Sequence, residues 1–216
     1  HRVRLAAVAV DRDVGQPVPN PQAVRTLLLD FLDVEDAAAT VSGIIAAGVV
    51  PAAIEMMDQR IVEAAEAFAH AGYPTDAAAV LLVEVDGPPG AVAADAEVVA
   101  SVATAHRVRS VRTAADDVER ALLWKGRKSA FGAVARVKPN YYLHDTVVPR
   151  HRLVEVMREV YAIAARHDLL VMNVFHAGDG NLHPLLVFDG REPGVRERVH
   201  AAGAEIVAAS LAAGGV

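Results

Sequence analysis

Two histidines, His176 and His183, flank a Gly-Asp-Gly-Asn stretch in the segment Asn173-Val-Phe-His-Ala-Gly-Asp-Gly-Asn-Leu-His-Pro-Leu-Leu-Val-Phe188. The apolar, β-prone runs on either side predict a hairpin, and Asp179-Gly180 is a dipeptide favoured in two-residue turns. That turn sets a register with His176 opposite His183 and Gly178 opposite Asn181. Directly opposed side chains have Cβ atoms about 4.5–5.5 Å apart, close enough for both imidazoles to bind one divalent metal at about 2.0–2.1 Å. Two histidines do not complete such a site. A catalytic metal normally has three protein ligands, and the residues around the hairpin supply no third. On the residues alone, a solvent-facing hairpin with two unconnected histidines remains the alternative.

Two further clusters hold residues of chemical interest. Leu122-Leu-Trp-Lys-Gly-Arg-Lys-Ser-Ala-Phe131 lies in a long helical stretch and contains Arg127, whose guanidinium fork suits a small carboxylic acid through two parallel hydrogen bonds. The alternative is an arginine that is solvated or paired with a surface carboxylate. In Lys138-Pro-Asn-Tyr-Tyr-Leu-His-Asp-Thr-Val-Val-Pro-Arg150, aromatic and polar groups alternate as in a strand at a pocket rim. Tyr142 and His144 share one face there, and Tyr141, Leu143 and Asp145 the other; a half-buried strand with core-facing tyrosines fits equally well. The other histidines, His1, His70, His106, His151, His167 and His200, stand singly and read as structural or surface residues.

These clusters need a framework, and the apolar periodicity supplies one. Residues 1–10 resemble a strand, and Asp13 to Pro21 reads as a proline-rich linker, so a domain is expected over 24–216 after a lead-in of residues 1–23. From Val24 the pattern predicts strand 24–31, helix 34–47, strand 51–57, helix 58–70, strand 77–85, helix 91–105 and strand 108–113. A long helix over 115–133 follows. The order then restarts with strand 140–146, helix 151–166, strand 169–176, strand 182–188 and helix 195–213. This is an α+β fold of antiparallel sheet with helices on one face, built from two ferredoxin-like split βαβ units. The second unit lacks its last strand, which is expected beyond Val216. The plain opening on His1 and the ending Ala212-Ala-Gly-Gly-Val216 likewise suggest a piece of a longer protein.

Composition narrows the function classes. The chain has 216 residues, 53% of them hydrophobic, enough for a large core without disulfides. It contains no cysteine, which rules out a cysteine nucleophile or an iron–sulfur cluster held by these residues. A formal charge of −6 argues against a general nucleic-acid binder. No run of 18 or more apolar residues is free of charges and helix breakers, so no membrane span is expected.

The three clusters, in this order, resemble the C-terminal substrate or cap domain of FAD-linked oxidases of the vanillyl-alcohol oxidase type. Within that type the chain is most similar to the FAD-binding subunit of bacterial glycolate oxidase and to D-lactate and D-2-hydroxyglutarate dehydrogenases. Ala47-Gly-Val-Val-Pro-Ala-Ala-Ile-Glu-Met-Met-Asp58 and His70-Ala-Gly-Tyr-Pro74 carry the resemblance, together with Trp124 to Lys128, Tyr141 to Pro149 and Val174 to Pro184. It implies an FAD-dependent oxidation of a D-2-hydroxy acid to the 2-oxo acid, with FAD held mainly by a separate N-terminal domain. It further implies that His176 and His183 ligate a divalent metal such as zinc or manganese, that Arg127 pairs with the substrate carboxylate, and that Tyr142 and Asn181 contribute to substrate binding. The family's third ligand and general base, a glutamate followed by a histidine, would lie beyond Val216, so this chain alone is expected to be inert. An iron–sulfur electron-transfer subunit is an expected partner. The expected location is the cytoplasm, with the inner face of the membrane as an option. A non-catalytic interaction module of the same fold is the main rival, and a metal-dependent hydrolase the lesser one.

Overall fold

The computed structural model describes residues 21–216; the strand expected over residues 1–10 and nearly all of the linker lie outside the described residues. The elements are β1 (Ala23–Phe31), α1 (Val34–Ala46), β2 (Ala53–Asp58), α2 (Gln59–Ala69), β3 (Ala79–Gly87), α3 (Pro89–Ala105), β4 (Ser110–Thr113), α4 (Asp117–Val134), β5 (Asn140–Leu143), β6 (Thr146–Val147), α5 (Leu153–Arg166), β7 (Leu170–His176), β8 (Asn181–Leu182), β9 (Pro184–Phe188) and α6 (Val195–Ala212). Aspartates start three of the helices. Asp33, Asp58 and Asp116 sit at the N-caps of α1, α2 and α4 and accept from the backbone N–H groups of Glu35, Ile61 and Glu119, which satisfies donors a helix start leaves open.

The strands form one antiparallel sheet in which β4-β1-β3-β2 belong to the first unit and β7-β9-β5 to the second. The two units are joined by β2 and β7, which pair Glu55 with His176, Met56 with Phe175 and Met57 with Val174. The seam between the repeats therefore brings a carboxylate of the first half directly opposite an imidazole of the second.

Both faces of the sheet are covered, which explains the nearly unbroken apolar runs of its central strands. Leu29, Phe31, Leu81, Phe175 and Leu186 face a core shared with α1, α3, α5 and α6, so the four helices of the repeated units lie together as expected. The alternate residues Leu28, Val80, Leu82, Val174 and Leu185 face α2 and α4. Fully burying each such side chain stabilises the fold by roughly 1.5–3 kcal/mol, and the seam strands lie between two such layers.

Two expectations about the strands change. The segments read as single strands over 140–146 and 182–188 each divide, and β6 and β8 form a short ribbon of their own beside β7. Pro184 has no N–H to continue a ladder, and its carbonyl instead accepts from the His144 backbone N–H at 3.1 Å. The hairpin register is also shifted by two residues: His176 pairs with Asn181 and Asn173 with Pro184. Residues Ala177–Asp179 form a 3-10 turn closed by Gly180 at φ 69°, so the loop is four residues long rather than two. Gly180 is required there, because a Cβ at this position would lie 2.2 Å from the Val148 carbonyl oxygen.

Candidate functional site

Because the register moves by an even number of residues, His176 and His183 stay on the same face of the sheet. They meet on a diagonal instead of directly opposite each other, with ring centroids 5.3 Å apart and planes at 84°. Asn181, not His183, lies across from His176. The face is the one covered by α4, which carries Arg127 over the seam.

Glu55 binds these elements together. Its Oε1 lies 2.8 Å from His176 Nδ1, and its Oε2 accepts from Arg127 Nε at 3.1 Å and from Arg127 Nη2 at 2.9 Å. The side chains of Arg127 and Glu55 are only 7% and 8% exposed; in so dry a setting each charge requires the other. Gly126 makes this seat possible. A Cβ there would come within 2.6 Å of the Tyr73 ring, whose buried hydroxyl donates to the Leu123 carbonyl of the same helix. Further along α4, Arg120 and the Trp124 indole N–H donate to Glu84 of β3 at 2.7–2.8 Å, and the Thr26 hydroxyl does so from β1. Burial works against the Glu84 charge, yet these donors hold its pKa below the usual carboxylate value.

His183 packs near Phe131, with ring centroids 6.3 Å apart, and its Nε2 faces Asp145 Oδ1 at 3.5 Å. Burial pushes its pKa down; Asp145 opposes this, and the nearby His176 and Arg127 add to it. The ring is therefore held neutral, the form that ligates a metal. Its Nδ1 is buried without a partner, and so is Asn181 Oδ1. Unpaired buried polar atoms are costly in a folded protein and call for an explanation. Here Glu55 holds Nδ1 of His176 at 2.8 Å, Asp145 approaches Nε2 of His183 at 3.5 Å, and among the described residues Nδ1 of His183 has no hydrogen-bond partner. For His176 that is the pattern of a metal-ligating histidine, whose second nitrogen is held by a carboxylate. The donor set thus fits a divalent cation at two positions. Among the described residues, no group of three His, Cys, Asp or Glu side chains is arranged to hold one.

The expected site residues separate accordingly. His176, His183 and Asn181 come together, and Arg127 joins them through Glu55. Tyr142 does not. It pairs with Leu186 on β9 and stacks edge-on against His144 and His200 at 4.7 and 5.5 Å, beside α6 on the opposite face of the sheet. The resemblance implies a place for it in substrate binding; here it lies on the other face of the sheet from His176 and His183. Glu55 was the residue sequence reasoning missed. The available signal was a lone carboxylate in the apolar run Ile54-Glu-Met-Met57.

A cavity of about 170 Å³ reaches Ile54, Glu55, Arg150, His176, Gly178 and Asp179 but neither Arg127 nor His183. It is well below the roughly 300–1,000 Å³ of pockets for drug-sized ligands, so it suits a small molecule and does not fit a flavin. A larger cavity of about 330 Å³ lies away from the histidines, beside Asp58 and Tyr161. Among the described residues no helix is long and apolar enough to cross a membrane.

The family model described as FAD linked oxidases, C-terminal domain, matches residues 20–216. The chain is 44% identical over 198 residues to the glycolate oxidase subunit GlcD of Escherichia coli (strain K12), covering 92% of this chain and 40% of that protein. It is 40% identical over 198 residues to GlcD of Bacillus subtilis (strain 168), covering 92% of this chain and 42% of the relative. The chain thus spans about two fifths of the length of these relatives. The crystal structure of p-cresol methylhydroxylase with substrate bound superposes with a TM-score of 0.70 at 13% identity, over 92% of this chain and 45% of that one, a likeness of fold.

Proposed function

The chain belongs to the family of FAD linked oxidase C-terminal domains, and on that premise we propose that it is the substrate-binding part of an FAD-dependent dehydrogenase that oxidises a small D-2-hydroxy acid to the 2-oxo acid. The observation that carries this reading is the His176–His183 pair, 5.3 Å apart, on the sheet face that α4 covers with Arg127. The similarity to two glycolate oxidase subunits supports the same class of substrate.

In this reading each residue has a defined task. His176 and His183 hold a divalent metal such as zinc or manganese, which when bound would polarise the substrate hydroxyl and lower its pKa. Arg127 offers N–H donors to the carboxylate and fixes the acid's orientation, so that its α-carbon is presented in one geometry. Asn181, opposite His176, supplies a polar contact beside the metal. The flavin, held by a separate part of the protein, accepts the electrons. The third metal ligand and the general base are likewise assigned outside these residues. By analogy with a named oxidase subunit, an iron–sulfur electron-transfer protein is the proposed partner.

The test is dye reduction by the full-length flavoprotein with a panel of D- and L-2-hydroxy acids, beside His176→Ala and Arg127→Lys variants. Arg127→Lys keeps the charge but loses the planar fork. The loss of a charge-assisted hydrogen bond, about 1.5–3 kcal/mol, lowers kcat/KM about 10- to 100-fold. Turnover of a D-acid that falls in both variants is the expected result. A folded, flavin-loaded protein that turns over none of these acids overturns the reading.

A further inference from the structure

Glu55 has no role in the proposed function, yet among the described residues its carboxylate is hydrogen-bonded to both Arg127 and His176. We infer that Glu55 is the positioning residue of the site: one carboxylate sets which nitrogen of His176, and which edge of Arg127, is offered to a ligand. The inference rests on the proposed function for the identity of that ligand, but not for its test.

The geometry is specific on both sides. An ionised carboxylate only accepts hydrogen bonds. With Glu55 Oε1 at 2.8 Å from His176 Nδ1, the geometry calls for Nδ1 as the donor, which leaves the Nε2 lone pair for a ligand. The His176 side chain is 47% exposed, so Nε2 is reachable from outside. On the other side, Glu55 Oε2 takes both Nε and Nη2 of Arg127, at 3.1 and 2.9 Å. A single oxygen thereby occupies the side edge of the guanidinium. The end edge, formed by Nη1 and the outer N–H of Nη2, is left for a second carboxylate. Arg127 can thus serve its buried counter-ion and an acid substrate together. Burial strengthens the device, because at 7–8% exposure each charge of the pair depends on the other.

Glu55→Gln tests this without changing size. The two Arg127 donors require the remaining carbonyl oxygen, which turns the amide –NH2 toward His176 Nδ1. Two donors then face each other, and the ring relieves the clash by moving its proton to Nε2. The measurement is the imidazole tautomer of His176 in the full-length, metal-free protein, by 15N-detected NMR with selectively labelled histidine, followed by a zinc titration. Expected are the Nδ1–H form in the wild type, the Nε2–H form in Glu55→Gln, and zinc affinity about 10- to 100-fold weaker in the variant, the usual effect of losing a partner behind a metal ligand. Glu84→Gln loosens the same helix without touching His176 and leaves the tautomer unchanged. If Glu55→Gln does not fold, the wild-type tautomer alone decides. A wild-type proton on Nε2, or a variant with unchanged tautomer and zinc affinity, overturns the inference. A wild type in the Nδ1–H form that takes up no zinc and oxidises no hydroxy acid overturns the proposed function instead and leaves the assignment of Glu55 standing.

Discussion

Glu55 and Asp58 stand three residues apart on β2, are almost equally buried at 6% and 4% exposure, and point to opposite faces of the sheet. Glu55 meets the charged Arg127 and an imidazole. Asp58 meets only neutral donors: the Ile61 N–H at the start of α2, the Asn173 backbone and side-chain N–H groups, and the Tyr161 hydroxyl, at 2.7–3.1 Å. Burial raises the Asp58 pKa to about 6, although all four donors pull it down. The contrast teaches that burial alone does not assign a role. A buried carboxylate with a cation and an exposed imidazole beside it is connected to the outside and has a use there; one enclosed by neutral donors ties a helix start to a strand.

The contrast can be broken most forcefully at the ion pair. Arg127→Met leaves Glu55 buried without its cation and is expected to cost about 3–5 kcal/mol, read as a lower urea midpoint. Loss of less than about 1 kcal/mol would mean that water reaches the pair. At Asp58 the effect depends on pH. A carboxyl whose pKa is raised by folding contributes its stability fully below its unfolded value, near pH 4, and loses it as pH rises through about 6. The change is on the order of 3 kcal/mol at the limit. Measured against Asp58→Asn, the wild type should lose ground between pH 4 and 6.5. A wild type that gains on the variant over this range would show that Asp58 is instead stabilised as the anion.

Smaller effects sharpen the picture. Gly126→Ala places a Cβ against Tyr73 and should cost about 1–3 kcal/mol through overpacking, with substrate binding weakened because Arg127 is the next residue. His176→Ala removes a half-exposed ring and should cost about 1 kcal/mol, the worth of its hydrogen bond to Glu55, as thermal unfolding would report, while weakening metal uptake. A large loss of stability there would make His176 a structural residue.

Much of this was readable from the chain. The strands and helices from β1 to α6 follow the apolar periodicity, because most elements bury a full face in one of two cores. The repeat of the split βαβ order was visible for the same reason, and His176, His183 and Arg127 stood out by residue type and spacing. The hairpin register was not, since Asp179-Gly180 also suits a 3-10 turn that ends on a left-handed glycine, and only the packing of Gly180 against Val148 selects between the two. The side taken by Tyr142 was not legible either, because strand alternation shows which residues share a face but not which face meets α4. Glu55 escaped because its partners lie 72 and 121 positions away, distances closed by the packing of α4 on the sheet and by the β2–β7 seam.

If the proposed function holds, His176 and His183 bind one metal ion beside Arg127, and X-ray absorption at the zinc edge of the full-length protein, loaded with one equivalent of zinc, reads this out. The expected coordination shell includes two imidazole nitrogens at about 2.0–2.1 Å, losing one of them in His176→Ala and one in His183→Ala. A zinc shell without imidazole, or one that neither variant alters, would contradict it.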